Sequence, residues 1–382
     1  MDQTTPRTSA DRTDWARALT DPTEFAHEQE QLGRQWTLLG LTTDAPNDGD
    51  WFRATLGGRS VFVQRFGEEL RGFENKCAHR FFPLRTADKG NGVIRCGFHH
   101  WQYDKDGRAV GIPKCQEMFG VTPRELDKRL KLVDIATCGI MVFGRFADAG
   151  QTETLEQYLA GSFPILRTIA DRKGAPYLVD REVKANWKLL LHVALDEYHV
   201  VAVHPDTFGK AGYLSNERVR YYRYGRHNSY FAGTDADTFA KASAAASAGK
   251  YNPRDYRIFQ LFPNLTVSHV YIGRSWYILL MLFVPLAADR TLVRTWFYRG
   301  TFRQRANNVW QKFARYYMRL WLPLIMHIYV RKVGGEDSGA CEKLQTVAHQ
   351  IDGWPTLSKQ EERIGWFEDA YAEAMAPPDV HK

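Results

Sequence analysis

Residues 1 to 13 are polar and set no periodic pattern. Asp21-Pro22-Thr23-Glu24 then reads as a helix start, with Asp as cap, Pro at the first helical position and Glu at the third. Phe25, Leu32 and Trp36 would turn inward from that helix. From Trp36 the helical spacing gives way to short apolar runs between turn residues. TLLGL and RSVFVQRF read as short strands with the turn-rich DAPNDGDW between them, and Asn91-Gly92 and Asp106-Gly107 as tight turns. The pattern lasts to Val142-Phe143 and predicts a small β domain over residues 36 to 150.

After residue 151 the pattern is mixed. Val183 to Val201 is helical, with Trp187, Leu190, Leu191, Ala194, Leu195 and Tyr198 on one core face. A second stripe of the same helix reads His192, Asp196, His199. Tyr271 to Val284 and Leu292 to Arg299 read as strands. The apolar run Tyr277 to Ala288 contains Pro285 and is shorter than the roughly 20 residues of a membrane span, so it is a buried strand. Arg303 to Val333 is a long helix interrupted at Pro323. Ser358 opens a last helix through a capping box with Glu361, turning Ile364, Phe367, Tyr371 and Ala374 inward. Residues 233 to 254, with the small-residue run from Lys241 to Gly249, read as a surface insertion or a lid. No internal repeat is found.

Composition narrows the class without naming an activity. With 382 residues, 44% apolar and 25% charged, the chain has the balance of a soluble globular protein and room for two domains. The N-terminus lacks an apolar signal segment, which predicts a cytoplasmic protein. Five cysteines, an odd number, argue against a disulfide framework there; Cys115, Cys138 and Cys341 read as small core residues. The net charge of +7 suits an anionic substrate or an acidic protein partner. There is no nucleic-acid motif and no membrane segment, so neither partner is expected.

The remaining cysteines sit beside histidines. Cys77-Ala78-His79 is followed, sixteen residues on, by Cys96-Gly97-Phe98-His99. Two Cys and two His could hold a structural zinc. Zinc fingers, however, usually pair like with like, whereas here each cluster offers one of each. That mixture suits a 2Fe–2S centre with two Cys on one iron and two His on the other. Neutral imidazoles then raise the potential to roughly −150 to +300 mV, against about −400 mV for an all-Cys cluster. Pro83 and Gly97 allow tight backbone near the sulfurs, whose amides could then hydrogen-bond a cluster. The spacing Cys77-x-His79-x16-Cys96-x2-His99 resembles a Rieske centre.

A second constellation follows. His204 lies five residues past His199, about 140° away on an unbroken helix. Pro205 disfavours helix at His204, so the helix should end just before it and leave His204 to turn back. Asp196-x2-His199-x4-His204-Pro205, behind Asn186-Trp187-Lys188, resembles the mononuclear iron motif of Rieske non-haem iron oxygenase α subunits, the aromatic-ring-hydroxylating dioxygenase family.

The resemblance spans nearly the whole chain and implies the following. The fold is α+β: a small all-β Rieske iron–sulfur domain (36–150) and an α+β helix-grip, START-like catalytic domain (151–382), onto which a helical segment, 1–35, packs. Cys77, His79, Cys96 and His99 hold the 2Fe–2S cluster. His199 and His204 hold a mononuclear non-haem Fe(II) together with a late carboxylate at the head of a helix. In Gly334-Gly335-Glu336-Asp337 that is Asp337, with Glu336 the competing choice. Asp196 is not a ligand but an inter-subunit bridge, from His199 to His99 of a neighbour. Many relatives carry Glu where this chain has His192, whose role is open between hydrogen bonding, pH sensing and interface packing. Phe262-Pro263-Asn264-Leu265 resembles the strand beside the pocket.

The implied function is that of a terminal oxygenase. A separate NAD(P)H-dependent reductase or ferredoxin supplies electrons, and O2 is used to hydroxylate a small organic substrate, most often aromatic. No dinucleotide or flavin motif is present to do the reductase's part. Rival readings are a Rieske-type N- or O-demethylase, an aliphatic amine monooxygenase, and a Rieske electron carrier without oxygenase activity. A zinc-stabilised binding protein is a further rival. A homotrimer is implied, since electron transfer would run between subunits. Candidate pocket residues are Phe208, Tyr213, Tyr230, Phe231, Phe259 and Phe283.

Overall fold

The computed structural model describes residues 14–146, 151–171, 176–206, 219–232, 238–251, 256–272, 275–299 and 309–376. Phe208 and Tyr213 lie outside the described residues, as do residues 1–13. The chain forms two compact units, one of residues 29–158 with 170–175, the other of residues 1–28, 159–169 and 176–382. No described helix is long and apolar enough to cross a membrane.

The first unit is built on a seven-stranded sheet. Its strand order is Thr37–Leu41, Met141–Arg145, Leu132–Cys138, Glu69–Glu74, Arg59–Phe66, Asp50–Leu56 and Lys89–Asn91. Neighbouring strands run antiparallel. Strict alternation sorts the side chains of Arg59–Phe66: Val61 and Val63 join Leu39, Phe52 and Val142 on one face, while Phe62 joins Phe73 and Trp51 on the other. The second cluster also takes in Cys77 and Cys96, so the sulfurs sit on the sheet's own core. Three short strands, Ile94–Arg95, Gln102–Tyr103 and Ala109–Gly111, form a separate antiparallel sheet. Trp36 lies past the helix Pro22–Leu32 rather than on it, and it is buried within this unit.

The second unit holds another antiparallel seven-stranded sheet. The strands run Tyr177–Val183, Arg290–Arg299, Ser275–Ala287, Leu265–Ile272, Arg257–Leu261, His227–Ala232, Val219–Tyr224. The apolar run near residue 280 is the thirteen-residue strand Ser275–Ala287 of this sheet. On one face the long helix Val309–Val347 packs Tyr329 and Val330 against Val179, Tyr277, Leu279 and Phe297. The last helix, Glu362–Met375, meets the same face through Arg363, which donates to Asn228.

Three helices differ from the sequence expectation. Residues 183–201 are not one helix: Trp187–Leu195 stops at Asp196, and a separate turn of helix, Val200–Val203, ends at His204 as Pro205 requires. Among the described residues the long helix spans Val309–Val347, running through position 323 and beyond Val333; the expected start at Arg303 lies outside the described residues. Residues 239–247, which carry no apolar period, nevertheless form a helix capped by Thr238, with Ala242 and Ala246 buried one turn apart. The capping box at Ser358 and Glu361 forms, on a short 3-10 turn that leads into the last helix.

Candidate metal centres

The two Cys/His loops are copies of one backbone device. Cys77 donates its N–H to Phe82 O at 2.9 Å and its carbonyl accepts from Phe81 at 3.0 Å. Cys96 does the same with Trp101 O at 2.8 Å and the His100 N–H at 3.0 Å. Each loop thus closes on its cysteine, with the fourth residue onward, Phe81 or His100, in the left-handed region (φ 61° and 60°). The strained positions are these two side-chain-bearing residues, not Gly97.

This arrangement separates the donors by type. Both sulfurs are buried, at 1% exposure each, whereas His79 and His99 are only part-buried. The Cys77 and Cys96 thiols are neighbours, and the His79 and His99 rings lie 4.7 Å apart. Trp101 stacks on His79 at 4.7 Å with the rings 4° from parallel, and Phe119 stands edge-on to both. Burial pushes the Cys77 thiol up; burial, with His99 and Arg80 nearby, lowers His79. Tyr103, missed in the sequence, shares a hydrogen bond with Cys77 Sγ at 3.0 Å and accepts from the Ala78 N–H at 3.1 Å. Burial, reinforced by Cys77, holds its phenol protonated. His79 Nδ1 is buried with no hydrogen-bond partner. Two paired thiols inward, two paired imidazoles outward and an unclaimed ring nitrogen fit a two-iron cluster with unlike ends.

In the other unit His199, His204 and Asp337 converge, their ligating atoms all within 4.8 Å of one another. Asp337 Oδ1 lies 2.8 Å from His204 Nε2 and 3.5 Å from His199 Nε2. Yet that oxygen is buried without a hydrogen bond of acceptable geometry. Three donors that close can share one centre, and two His with one carboxylate is the donor set of a facial iron site.

The far side of each imidazole also meets an acid. Glu336 Oε2 is 2.7 Å from His204 Nδ1, and Asp196 Oδ2 is 3.4 Å from His199 Nδ1. Carboxylates in that position fix the ring's tautomer and raise its basicity. The consequence is visible at His199: burial would lower it, but Asp196 and Asp337 outweigh burial and hold it up at about 9. Asp196 Oδ1 also accepts from the Tyr198 and His199 N–H groups at 2.6 and 3.2 Å, closing the turn that ends the helix. Asp337 lies well inside Val309–Val347 and not at a helix head, so the helix dipole does not account for its place. His192 bonds Glu368 at 2.8 Å between the rings of Trp15 and Phe367. It braces the second unit internally.

The segments carrying these groups are cross-tied. Asn186 caps its helix by accepting from the Lys188 N–H and donates to Ala288 O at 2.7 Å. Glu342 and Gln345, on the helix that bears Asp337, accept from the Lys184 and Asn186 N–H groups at 3.1 and 2.8 Å. Glu28 accepts from Trp187 Nε1 at 2.7 Å, from Tyr371 OH at 2.6 Å and from Lys188 Nζ, all buried. Gly335 lets the Arg181 guanidinium lie close to the helix, where Arg181 reaches the Arg331 carbonyl at 2.6 Å. Of the pocket candidates, strand alternation places Tyr230 and Phe283 on the helix-covered face of the sheet and Phe231 and Phe259 on the other.

Comparison with known proteins gives the family of each domain. Residues 170–377 match the family described as ring hydroxylating alpha subunit (catalytic domain), and residues 35–131 match the Rieske [2Fe-2S] domain. The large subunit of anthranilate 1,2-dioxygenase from Acinetobacter baylyi is 32% identical over 198 residues, 49% of this chain and 41% of that protein. The glycine betaine monooxygenase oxygenase subunit of Pseudomonas aeruginosa is 27% identical over 188 residues, 47% and 41% of the two chains. The chain thus matches less than half the length of these curated relatives. Naphthalene 1,2-dioxygenase from Rhodococcus sp. shares the fold with a TM-score of 0.72 at 19% identity over 94% of both chains. A quaternary ammonium Rieske monooxygenase does so at 0.70 and 17% over 96% of both. This chain belongs to the ring-hydroxylating α-subunit family and carries a Rieske [2Fe–2S] domain ahead of the family's catalytic domain.

Proposed function

We propose that the chain is the terminal oxygenase component of a Rieske non-haem iron system. It would take electrons from a separate NAD(P)H-dependent reductase or ferredoxin and use O2 to hydroxylate an aromatic substrate. The observation that carries this reading is one chain offering both donor sets, Cys77, His79, Cys96 and His99 for a cluster and His199, His204 and Asp337 for an iron. A bound Fe(II) in such a site supplies the open coordination positions that O2 chemistry needs. The chain's own residues prepare that site: Glu336 and Asp196 orient the two imidazoles, and the ties from Glu342 and Gln345 keep Asp337 opposite them. Glycine betaine monooxygenase among the relatives keeps amine oxidation as a second substrate class.

Within this reading Asp196 bridges His199 to His99 of a neighbouring subunit, in a homotrimer working in the cytoplasm. A carboxylate already beside His199 Nδ1 supports that role. Asp196→Ala is expected to keep both metals and lose coupled turnover; a normal oxidation rate in that variant would remove the bridge. The whole reading is tested by reconstitution with an electron donor and a substrate screen under labelled O2, products being followed by mass spectrometry. A chain that accepts electrons yet incorporates label into no substrate would leave only an electron carrier.

A further inference from the structure

One chain of hydrogen bonds in the catalytic unit has a fixed direction. Arg363, fully buried on the last helix, donates from Nη1 to Glu197 Oε1 at 2.8 Å and from Nε to Asn228 Oδ1 at 2.9 Å. A guanidinium has donors only, so the Asn228 amide must turn its oxygen to Arg363 and its nitrogen away. That nitrogen donates to Gln260 Oε1 at 2.8 Å. The Gln260 amide is oriented in its turn, with its NH2 group at the outer end. The usual ambiguity between amide O and N is removed by the guanidinium.

The chain ends without an acceptor. Gln260 is 0% exposed, and neither its Nε2 nor Arg363 Nη2 has a hydrogen-bond partner. A buried donor left unmatched costs about 1–3 kcal/mol, more if charged. Two of them flanking one Asn228 amide mark a place built to receive acceptor oxygens.

That place faces the candidate iron site's helices. Asn228 and Gln260 pair across adjacent strands, and their row continues through Thr266, Met281, Thr295 and Val179. Directly paired residues share a face of the sheet. Val179, in this row, packs against Tyr329 and Val330 of the helix that bears Asp337. At the other end of the bond chain, Glu197 is two residues before His199. Tyr221 and Tyr230, on the same face, stand 6.0 Å apart beside it, with Tyr221 donating to Glu197 at 2.8 Å. Buried Arg257 pairs with Phe231 and therefore lies on the opposite face.

We propose that Gln260, with Arg363 beside it, anchors the substrate by donating to an acceptor oxygen, that of a carboxylate or a carbonyl. The proposal rests on the oxygenase reading above and narrows its substrate to an organic molecule bearing such an oxygen. Gln260→Met keeps the side-chain volume and removes the donor. Gln260→Glu keeps an acceptor for Asn228; protonated, it offers an O–H where Nε2 stood, and ionised it offers lone pairs alone.

The test is calorimetric titration of benzoate, acetophenone and benzylamine into the iron-loaded enzyme and both variants. The unaltered chain is expected to bind benzoate or acetophenone at least about tenfold tighter than benzylamine, the difference one hydrogen bond supplies. Whichever of the two binds better identifies the acceptor as carboxylate or carbonyl. Gln260→Met should lose about that tenfold for the oxygen ligand and leave benzylamine unmoved. Gln260→Glu, relative to the parent, should lose the oxygen ligand and gain benzylamine as the pH rises and the introduced glutamate ionises. Preference for benzylamine in the unaltered chain, no binding of any of the three, or variants that shift all three alike would each overturn the proposal. Iron content is read on every sample. A chain that does not retain iron speaks against the oxygenase reading, whereas iron retained with ligand preference unmoved by the variants speaks against Gln260 alone.

Discussion

A single hydroxyl and a single step of helix rotation decide much of the chemistry at residue scale. The Tyr103 hydroxyl shares a hydrogen bond with Cys77 Sγ; toward a cluster-bound thiolate it can only donate, and a donor stabilises the more negative, reduced state. Tyr103→Phe is therefore expected to lower the midpoint potential by roughly 40 mV, the one-electron equivalent of about 1 kcal/mol, with the visible spectrum of the cluster retained. An EPR-monitored redox titration reads the shift, and an unchanged potential would mean the hydroxyl does not reach the cluster. Glu336 and Asp337 are adjacent acids that the sequence cannot rank. One residue of helix turns Asp337 to the Nε2 side of His204 and Glu336 to its Nδ1 side. Asp337→Asn should abolish stoichiometric iron retention, while Glu336→Gln should weaken iron binding about 10- to 100-fold, as loss of an orienting partner does. Fe(II) titration of the two variants separates the roles, and equal effects would contradict the assignment.

At the scale of elements, what the sequence shows is the chemistry-bearing turns and the strand alternation. The strands Thr37–Leu41 and Arg59–Phe66 appear as read, because alternation and turn residues are local signals. The end of helix before His204 is legible too, through Pro205. The course of Val309–Val347 through position 323 is not, since a proline inside a helical pattern is locally a signal to break. Nor is the helix Phe239–Ser247, whose small residues pack by size and carry no apolar period. The Asn186-Trp187-Lys188 stretch is legible as a motif, but its reason lies elsewhere, in Glu28, which no spacing rule connects to it. That hub yields a stability prediction. Glu28→Ala leaves the buried Lys188 ammonium uncompensated and should cost about 3–5 kcal/mol. Pairing Glu28→Leu with Lys188→Met should cost less than Glu28→Leu alone, because no charge is then stranded and the Trp187 and Tyr371 donors lose Glu28 in both. Thermal unfolding of the three variants checks the order, and additive losses would show that the pair is not coupled.

For the whole molecule, the division of the chain between its units matters most. Residues 29–158 make up nearly all of one unit in unbroken succession, whereas the other gathers residues 1–28 and 176–382 from both ends of the chain. Glu28 and Tyr371, which bond across that unit, are 343 residues apart. On a ribosome adding roughly 5–20 residues per second, Glu28 therefore waits on the order of 20–70 s for its last partner. The cluster-binding unit has no such wait and can close while synthesis continues. Nascent chains arrested near residue 300 should hold a protease-resistant segment spanning residues 29–158, with residues 14–28 still open to cleavage. Protection of both segments at that length would contradict this order of assembly. Synthesis then imposes a timetable: the unit that would receive electrons is finished before the unit that would spend them, and residues 14–28, needed to complete the second, leave the ribosome ahead of both.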